Sequence, residues 1–242
     1  MKINIKYILS HGWFTGIGLV KAGYLWLISS VCMPLSLLFV VGVLSQGRLL
    51  LYALAGGIIS MMVANSIGGS GELAQFRLDN KHQDLIVTTI TGPIEYMSGE
   101  MLGCLSWSVP GVLLYLALDM SYHLLNIYNL TMTLFVCVLV TVSTLSLIFC
   151  IYSLVKSIRK VWALGAIFST LLVTVPPTFY PYTYIPKSLL YALAFLPTTP
   201  AVVLEQGLFN LAPMNWYMLA VLILETFTYL LLARYATRWR ER

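Results

Sequence analysis

The sequence carries too little charge to cover the surface of a soluble protein. Only 14 of its 242 residues are Lys or Arg and nine are Asp or Glu, together 10% of the chain, while 59% are hydrophobic and the mean hydropathy is +0.86. Soluble domains carry about 25% charged residues. A water-soluble globule is therefore excluded, and the composition predicts an integral membrane protein.

Residues that build metal or disulfide sites are few and scattered. The four cysteines show no CxxC spacing, and the three histidines fall in three separate segments. We expect the cysteines to be small packing residues within helices, and no metal site is predicted.

Motifs of ATP binding are also missing. A P-loop requires GxxxxGK[ST], and no Gly-Lys pair occurs anywhere in the chain. We therefore predict no catalytic residues and no cofactor bound by this chain itself. The net charge of +5 does not indicate nucleic-acid binding, because the basic residues stand at the ends of apolar runs, where they orient a membrane protein.

Apolar runs long enough to cross roughly 30 Å of hydrocarbon recur along the chain. The predicted fold is one all-α transmembrane domain over residues 1–242 with six transmembrane helices. Three lysines among apolar residues at helical spacing predict that residues 1–22 form a helix in the membrane interface. The six predicted spans are residues 23–44, 49–70, 96–119, 131–155, 161–177 and 216–232.

Small residues recur at every fourth position of the second span. Such a ladder lets another backbone approach closely within lipid. It indicates a contact with a helix of this chain or of a second copy, although small residues are also common in membrane helices. The ladder consists of Gly56, Ser60, Ala64 and Gly68.

The segment 178–215 is apolar but contains five prolines. Proline at this density excludes one continuous helix. We predict two short helices, at about 186–195 and 199–208, that form a re-entrant hairpin on the outer side of the membrane.

The basic residues are distributed very unequally about the six spans. Twelve of the 14 fall on the side of the two termini, and only Arg48 and Lys187 fall on the other. The positive-inside rule then places both termini in the cytoplasm.

Glu225 lies near the middle of the last span, where a charge is costly. Two interpretations stay open. Glu225 either carries a proton or contacts substrate, or it is a protonated, hydrogen-bonded acid buried among helices, with Ser or Thr partners from the fourth span.

The longest polar stretch runs from Gly71 to Gly99 and is called the island here. Seven of the 23 charged residues lie between Glu72 and Glu100, and apolar residues alternate with them. A plain connection between antiparallel spans needs only about 4–6 residues. A longer helix of mixed character is suited to bind in the groove of a partner, so we predict that the island, placed in the cytoplasm by the charge distribution, is a docking element.

Two stretches resemble the membrane subunits of ABC-2 type transporters. Residues 83–95, QDLIVTTITGPIE, are similar to the cytoplasmic helix and Thr-Pro turn that the family carries between its second and third spans, and Glu100 stands where the family has Lys after Gly. The runs FYP at 179–181, IPKSLL at 185–190 and FLPTTPAV at 195–202 are similar to the family's outer re-entrant motif, from which residues 198–200 depart.

This resemblance implies the permease subunit of an ATP-binding-cassette exporter in the cell membrane. It implies a second membrane subunit, identical or different, and two ATPase subunits that bind ATP and Mg²⁺. It also implies a substrate path at the subunit interface along the first, second and fifth spans, and the apolar spans favour hydrophobic or amphipathic cargo. The coupling residues that would contact the ATPase are Lys81, His82, Gln83, Asp84, Leu85, Ile86, Val87 and Thr88.

Other classes of function remain open on the residues alone. An ion-coupled secondary transporter is supported only by Glu225. A membrane assembly factor that needs no ATPase is the other alternative.

Overall fold

The computed structural model describes residues 4–18, 24–78, 86, 88–89 and 91–236, and within these ranges the chain is helical, without β-strands. A π-helical turn, Phe14–Gly18, continues the first helix. The described helices are α1 (Ile5–Trp13), α2 (Tyr24–Leu44), α3 (Leu50–Leu78), α4 (Pro93–Ser121), α5 (Ile127–Ser153), α6 (Ile158–Thr174), α7 (Lys187–Leu193), α8 (Thr198–Leu208) and α9 (Tyr217–Ala236).

Four helices are long and apolar enough to cross a membrane. They are α3, α4, α5 and α9, and the pair α7 and α8, bent by 120°, makes a fifth if it is counted as one span. The predicted all-α, multi-pass architecture is confirmed at this level. Of the remaining two predicted spans, α2 has 21 residues and contains Pro34, while α6 has 17 residues.

The helices run further than the apolar stretches from which they were predicted. The second span was predicted to end at residue 70, but α3 continues to Leu78, because Leu73 and Ala74 pack into the protein core. The first part of the island is therefore helical. At the other end of the island, α4 begins with Pro93 at its first position, where a missing N–H costs nothing.

The bundle is built around α3. This helix packs against α2, α4, α5, α6 and α8 and is the most buried of the long apolar helices. The surrounding helices expose large apolar side chains outward, as expected for surfaces that meet lipid. Examples are Phe39, Leu113, Phe135, Ile167 and Phe227.

One end of the bundle carries the proline-rich segment and is called the hairpin end. Gln206 organises it: its Nε2 donates to the carbonyls of Pro177 at 2.8 Å and Tyr180 at 2.9 Å, while its Oε1 accepts from the N–H of Tyr182 at 3.0 Å. The Tyr52 hydroxyl at the start of α3 donates to the Leu211 carbonyl at 2.6 Å. The opposite end, where α3 leads into the island, is called the island end.

The turn between α7 and α8 lies far along the bundle from the hairpin end. The Tyr229 hydroxyl of α9 donates to the Phe195 carbonyl at 2.8 Å, and the two rings meet edge to face with centroids 6.1 Å apart. Tyr229 lies more than three turns into α9, roughly 18 Å from its hairpin-end start at about 1.5 Å per residue. The α7–α8 hairpin therefore enters the bundle and turns back.

Candidate functional site

The predicted coupling residues lie where the island leaves and rejoins the bundle. Lys81, His82, Gln83, Asp84, Leu85 and Val87 fall outside the described residues. Ile86 is buried and Thr88 is exposed. Ile86 packs in a small apolar cluster that attaches the island to α3, α4, α5 and α9, and its other buried members are Leu73, Tyr96, Met97, Phe149 and Ala233.

Glu95 joins the end of the island to the start of α1. One carboxylate oxygen accepts from the N–H of Gly92, the residue that caps α4, at 2.5 Å, and the other accepts from the N–H of Asn4 at 2.6 Å. The Asn4 side chain in turn caps α1 by accepting from the N–H of Tyr7 at 3.2 Å. A single buried carboxylate thus binds the N-terminal ends of two helices, where unpaired N–H groups favour an anion.

Close glycine contacts seat α1 and its π-helical turn along α4. Gly12 and Gly16 on one side face Gly99 and Gly103 on the other. A Cβ at Gly12 would lie 2.7 Å from the Cβ of Leu102, and a Cβ at Gly103 would overlap the Thr15 side chain. These glycines are the surface through which α1 packs on α4, a small-xxx-small contact.

A buried ionisable pair lies on the same surface. His11 Nε2 is 3.3 Å from Glu100 Oε2, and the two side chains are 7% and 2% exposed. This is an ion-pair distance, without the angle of a hydrogen bond. The His11 ring stacks on Tyr7 and tilts against Tyr96, and burial, followed by the charges of Glu100 and Glu95, raises the pKa of Tyr7 to about 12. The family resemblance expects a lysine on α4 at the position of Glu100. In this chain the basic group beside that position is His11, which belongs to α1.

Arg77 fixes the other side of the island. Its guanidinium donates to the carbonyls of Tyr152 at 2.7 Å, Val155 at 3.0 Å and Ser153 at 3.3 Å. Tyr152 and Ser153 are the last two residues of α5 and Val155 follows its end, where carbonyls no longer receive the regular bonds of the helix. We call Asn4, His11, Arg77, Glu95 and Glu100 together the island-end layer. The sequence indicated none of these pairings, because Arg77 and His11 read as ordinary charges at span ends.

The small-residue ladder of α3 has two different ends. Gly56 lies against the backbone of Thr178, so closely that a side chain there would overlap the carbonyl. Ser60 is buried and donates to the carbonyl of Gly57 at 2.8 Å. Ala64 is half-buried, and Gly68 is exposed with open space where its Cβ would lie. The ladder meets this chain's own backbone at the hairpin end and faces outward at the island end.

Glu225 is buried within α9, and neither carboxylate oxygen has a hydrogen-bond partner. Its neighbour Thr226 donates to the carbonyl of Leu222 in the same helix. The expected Ser or Thr partners from α5 do not reach Glu225 in the structure. Glu225 therefore stays a candidate buried acid.

Two further buried acids were missed by the sequence reasoning. Asp119, near the end of α4, is fully buried with both oxygens unpartnered; Glu205, in α8, is fully buried, and one of its oxygens accepts from the Thr133 hydroxyl. Asp119 and Glu205 interact electrostatically, and we call them the hairpin-end acid pair. Asp119 read as the boundary of a span, and Glu205 was hidden in the proline-rich segment. Among the described residues, no three His, Cys, Asp or Glu side chains converge on a possible metal site.

No protein-family model matches the chain, and no curated protein sequence matches it. The family resemblance of the two motifs therefore stays a prediction.

Proposed function

We propose that the chain is the permease subunit of an ABC-2 type exporter. The observation that carries this proposal is that both ends of the island are tied to helices of the bundle: Arg77 to the end of α5, and Glu95 to the starts of α1 and α4. A connecting loop needs no such ties. They suit an element that receives a displacement from a partner and passes it to the bundle.

The proposed topology has six spans, α2, α3, α4, α5, α6 and α9, with α7 and α8 as the outer re-entrant hairpin. Arg48, in the turn between α2 and α3, and Lys187, at the start of α7, lie at the hairpin end. The other 12 basic residues lie in the segments assigned to the island end. The positive-inside rule then supports a topology with the island and both termini in the cytoplasm.

In this proposal two partner ATPases bind ATP and Mg²⁺. Each of the two membrane subunits docks on them through its island. Closure of the ATPases displaces the island, and the island-end layer transmits the displacement to α1, α4 and α5. A second membrane subunit, identical or different, completes a path for a hydrophobic or amphipathic substrate. The cycle requires two arrangements of the membrane helices that the ATPases bind with different affinity.

Co-purification from native membranes tests the proposal. The tagged full-length chain is extracted in mild detergent, and proteins bound to it are assayed for ATP hydrolysis. We expect a P-loop ATPase to be recovered, and the charge reversals Lys81→Glu and Asp84→Lys to weaken its binding about tenfold, which corresponds to about 1.4 kcal/mol.

The matched control is Lys187→Glu, an equal charge reversal at the hairpin end, which should leave recovery of the ATPase unchanged. A chain that purifies alone and transports with an ion gradient would refute the proposal. If that transport also slowed in Glu225→Gln, the unpartnered carboxyl of α9 would support an ion-coupled secondary transporter instead.

A further inference from the structure

The hairpin-end acid pair has fewer hydrogen-bond donors than its oxygens require. Asp119 on α4 and Glu205 on α8 are both fully buried. The Thr133 hydroxyl of α5 satisfies one oxygen of Glu205, whereas the other oxygen of Glu205 and both oxygens of Asp119 have no partner. Neither acid is ion-paired with a Lys, Arg or His of the described residues. Three buried carboxyl oxygens are thus without donors.

A further unpartnered group lies beside the pair. Tyr115 precedes Asp119 by one turn on the same face of α4, is fully buried, and its hydroxyl has no hydrogen-bond partner. It interacts electrostatically with Asp119. Tyr115 and the acid pair thus bring several unpartnered polar groups into a fully buried part of the bundle, where polar groups ordinarily have hydrogen-bond partners.

The backbone around the pair disfavours negative charge. Asp119 stands two residues before the end of α4, and Glu205 three residues before the end of α8. The carbonyl ends of both helices carry partial negative charge, so each carboxylate would be repelled by its own helix as well as by its neighbour. Burial adds the cost of removing an ion from water. Protonation removes both charges and with them the repulsion and most of the cost of burial.

We propose that Asp119 and Glu205 form a proton-binding site, which holds protons while the α7–α8 hairpin is seated in the bundle and releases them when α8 moves away from α3, α5 and α9, against which it packs. The ligand is a proton rather than a metal ion, because the described residues bring no third His, Cys, Asp or Glu to the pair. This inference needs no partner chain, so its outcome is independent of the proposed exporter function.

The position of Glu205 connects the proton to the hairpin. Its chain neighbour Gln206 holds Pro177, Tyr180 and Tyr182 in place through three hydrogen bonds. A displacement of α8 that admits water to Glu205 also strains these bonds. Since the seated state binds more protons than the open state, it is favoured by acid and loses stability as the pH rises.

Other titratable groups surround the pair but carry no compensating charge next to it. Cys137 on α5 interacts electrostatically with both acids. The remaining titratable groups at or toward the hairpin end lie on the elements packed against α4 and α8 or connected to them. They are Cys32 on α2, the exposed Arg48 in the α2–α3 turn, Tyr52 on α3, the exposed Tyr122 and His123 after α4, Tyr128 on α5, Tyr180, Tyr182 and Tyr184 before α7, the exposed Lys187 and Tyr191 on α7, and Tyr217, Glu225 and Tyr229 on α9.

Thermal denaturation of the purified full-length chain across a range of pH tests the site. An amide mimics a protonated carboxyl, so Asp119→Asn and Glu205→Gln should fold and be at least as stable as the wild type at neutral pH. Each single substitution removes one source of repulsion, so the remaining acid should lose its proton, and the protein the corresponding stability, at a lower pH. The double substitution should abolish the part of the pH dependence of stability that the pair contributes. Glu225→Gln is the control, and its effect should add to that of either substitution.

Infrared spectroscopy gives a second measurement that does not rely on stability. The wild type at neutral pH should show a protonated-carboxyl stretch that each amide variant loses and that Asp119→Glu, which retains an acid, shifts. If neither amide variant changes the band, or if both variants destabilise the protein at neutral pH while the wild type lacks the band, the pair is ionised and the proposal is wrong. It is equally overturned if sodium or calcium chloride stabilises the wild type but not the double variant, because the ligand would then be a metal ion.

Discussion

Buried carboxyl groups occur at both ends of the bundle, but their surroundings are opposite. At the island end Glu95 accepts from two backbone N–H groups and Glu100 lies beside His11. At the hairpin end Asp119 has no partner and Glu205 has one. Partnered acids hold helices in fixed positions, whereas unpartnered acids respond to protons. The two ends therefore differ in what can disturb them.

The difference follows from which end of a helix each acid occupies. Glu95 is in the first turn of α4 and reaches the start of α1, where free N–H groups await an acceptor. Asp119 and Glu205 are in the last turns of their helices, where free carbonyls repel them. The same α4 carries both situations at its two ends.

The central helix gives the strongest test of this comparison. Gly56→Ala places a Cβ into the carbonyl of Thr178 at the hairpin end and should destabilise the protein by about 3 kcal/mol. Gly68→Ala makes the same change on the same ladder but meets open space, so it should stabilise the helix by up to about 1 kcal/mol. Thermal denaturation in detergent measures both. Equal effects would mean that α3 is not clamped at the hairpin end.

The tie between the island and α5 should give the next largest effect. Arg77→Ala removes charged hydrogen bonds to three carbonyls at the end of α5 and should cost about 2 kcal/mol. Arg159→Ala, an exposed arginine in the first turn of α6, is the control and should change stability by less than about 0.5 kcal/mol. Hydrogen exchange should also quicken at the end of α5 in Arg77→Ala only. Unchanged exchange there would argue against the tie.

The smallest effect concerns the pair that joins α1 to α4. In a double-mutant cycle, His11→Phe and Glu100→Gln should show a coupling free energy of about 1 kcal/mol, since the groups lie 3.3 Å apart and are buried. The same cycle between His11→Phe and Asp119→Asn should give a coupling near zero. A coupling of equal size in both cycles would remove the distinction between the island-end layer and the hairpin-end acid pair.

The sequence predicted the elements of the fold but not the contacts between them. Hydropathy and proline are local signals, so the long helices and the two hairpin helices on either side of Pro197 could be located within a few residues, except for the end of α3, which runs on to Leu78. The pairing of His11 with Glu100 could not, because helix packing in lipid is decided by shapes distant in sequence. Gly12 and Gly16 have low helix propensity, but in this helix they serve the close approach to α4.

Likewise, Glu225 was singled out because it interrupts a long apolar run, whereas Glu205 lies in the short predicted helix at 199–208, where it interrupts no span. Glu95 and Asp119 differ in which end of α4 they occupy, and this difference can be recognised only when the ends of the helix are known.

The N-terminal helix and its π-helical turn bury two polar residues and expose several large apolar ones. His11 and Thr15 are buried against α4, while Ile5, Leu9 and Trp13 are exposed. During synthesis this arrangement imposes an order in time: Asn4 precedes its partner Glu95 by 91 positions, so at about 5–20 residues per second α1 waits roughly 5–20 s before its acceptor exists. Until Glu95 is made, only the apolar side of α1 can make a contact. The packing of the first helix therefore depends on a residue that is synthesised long after it.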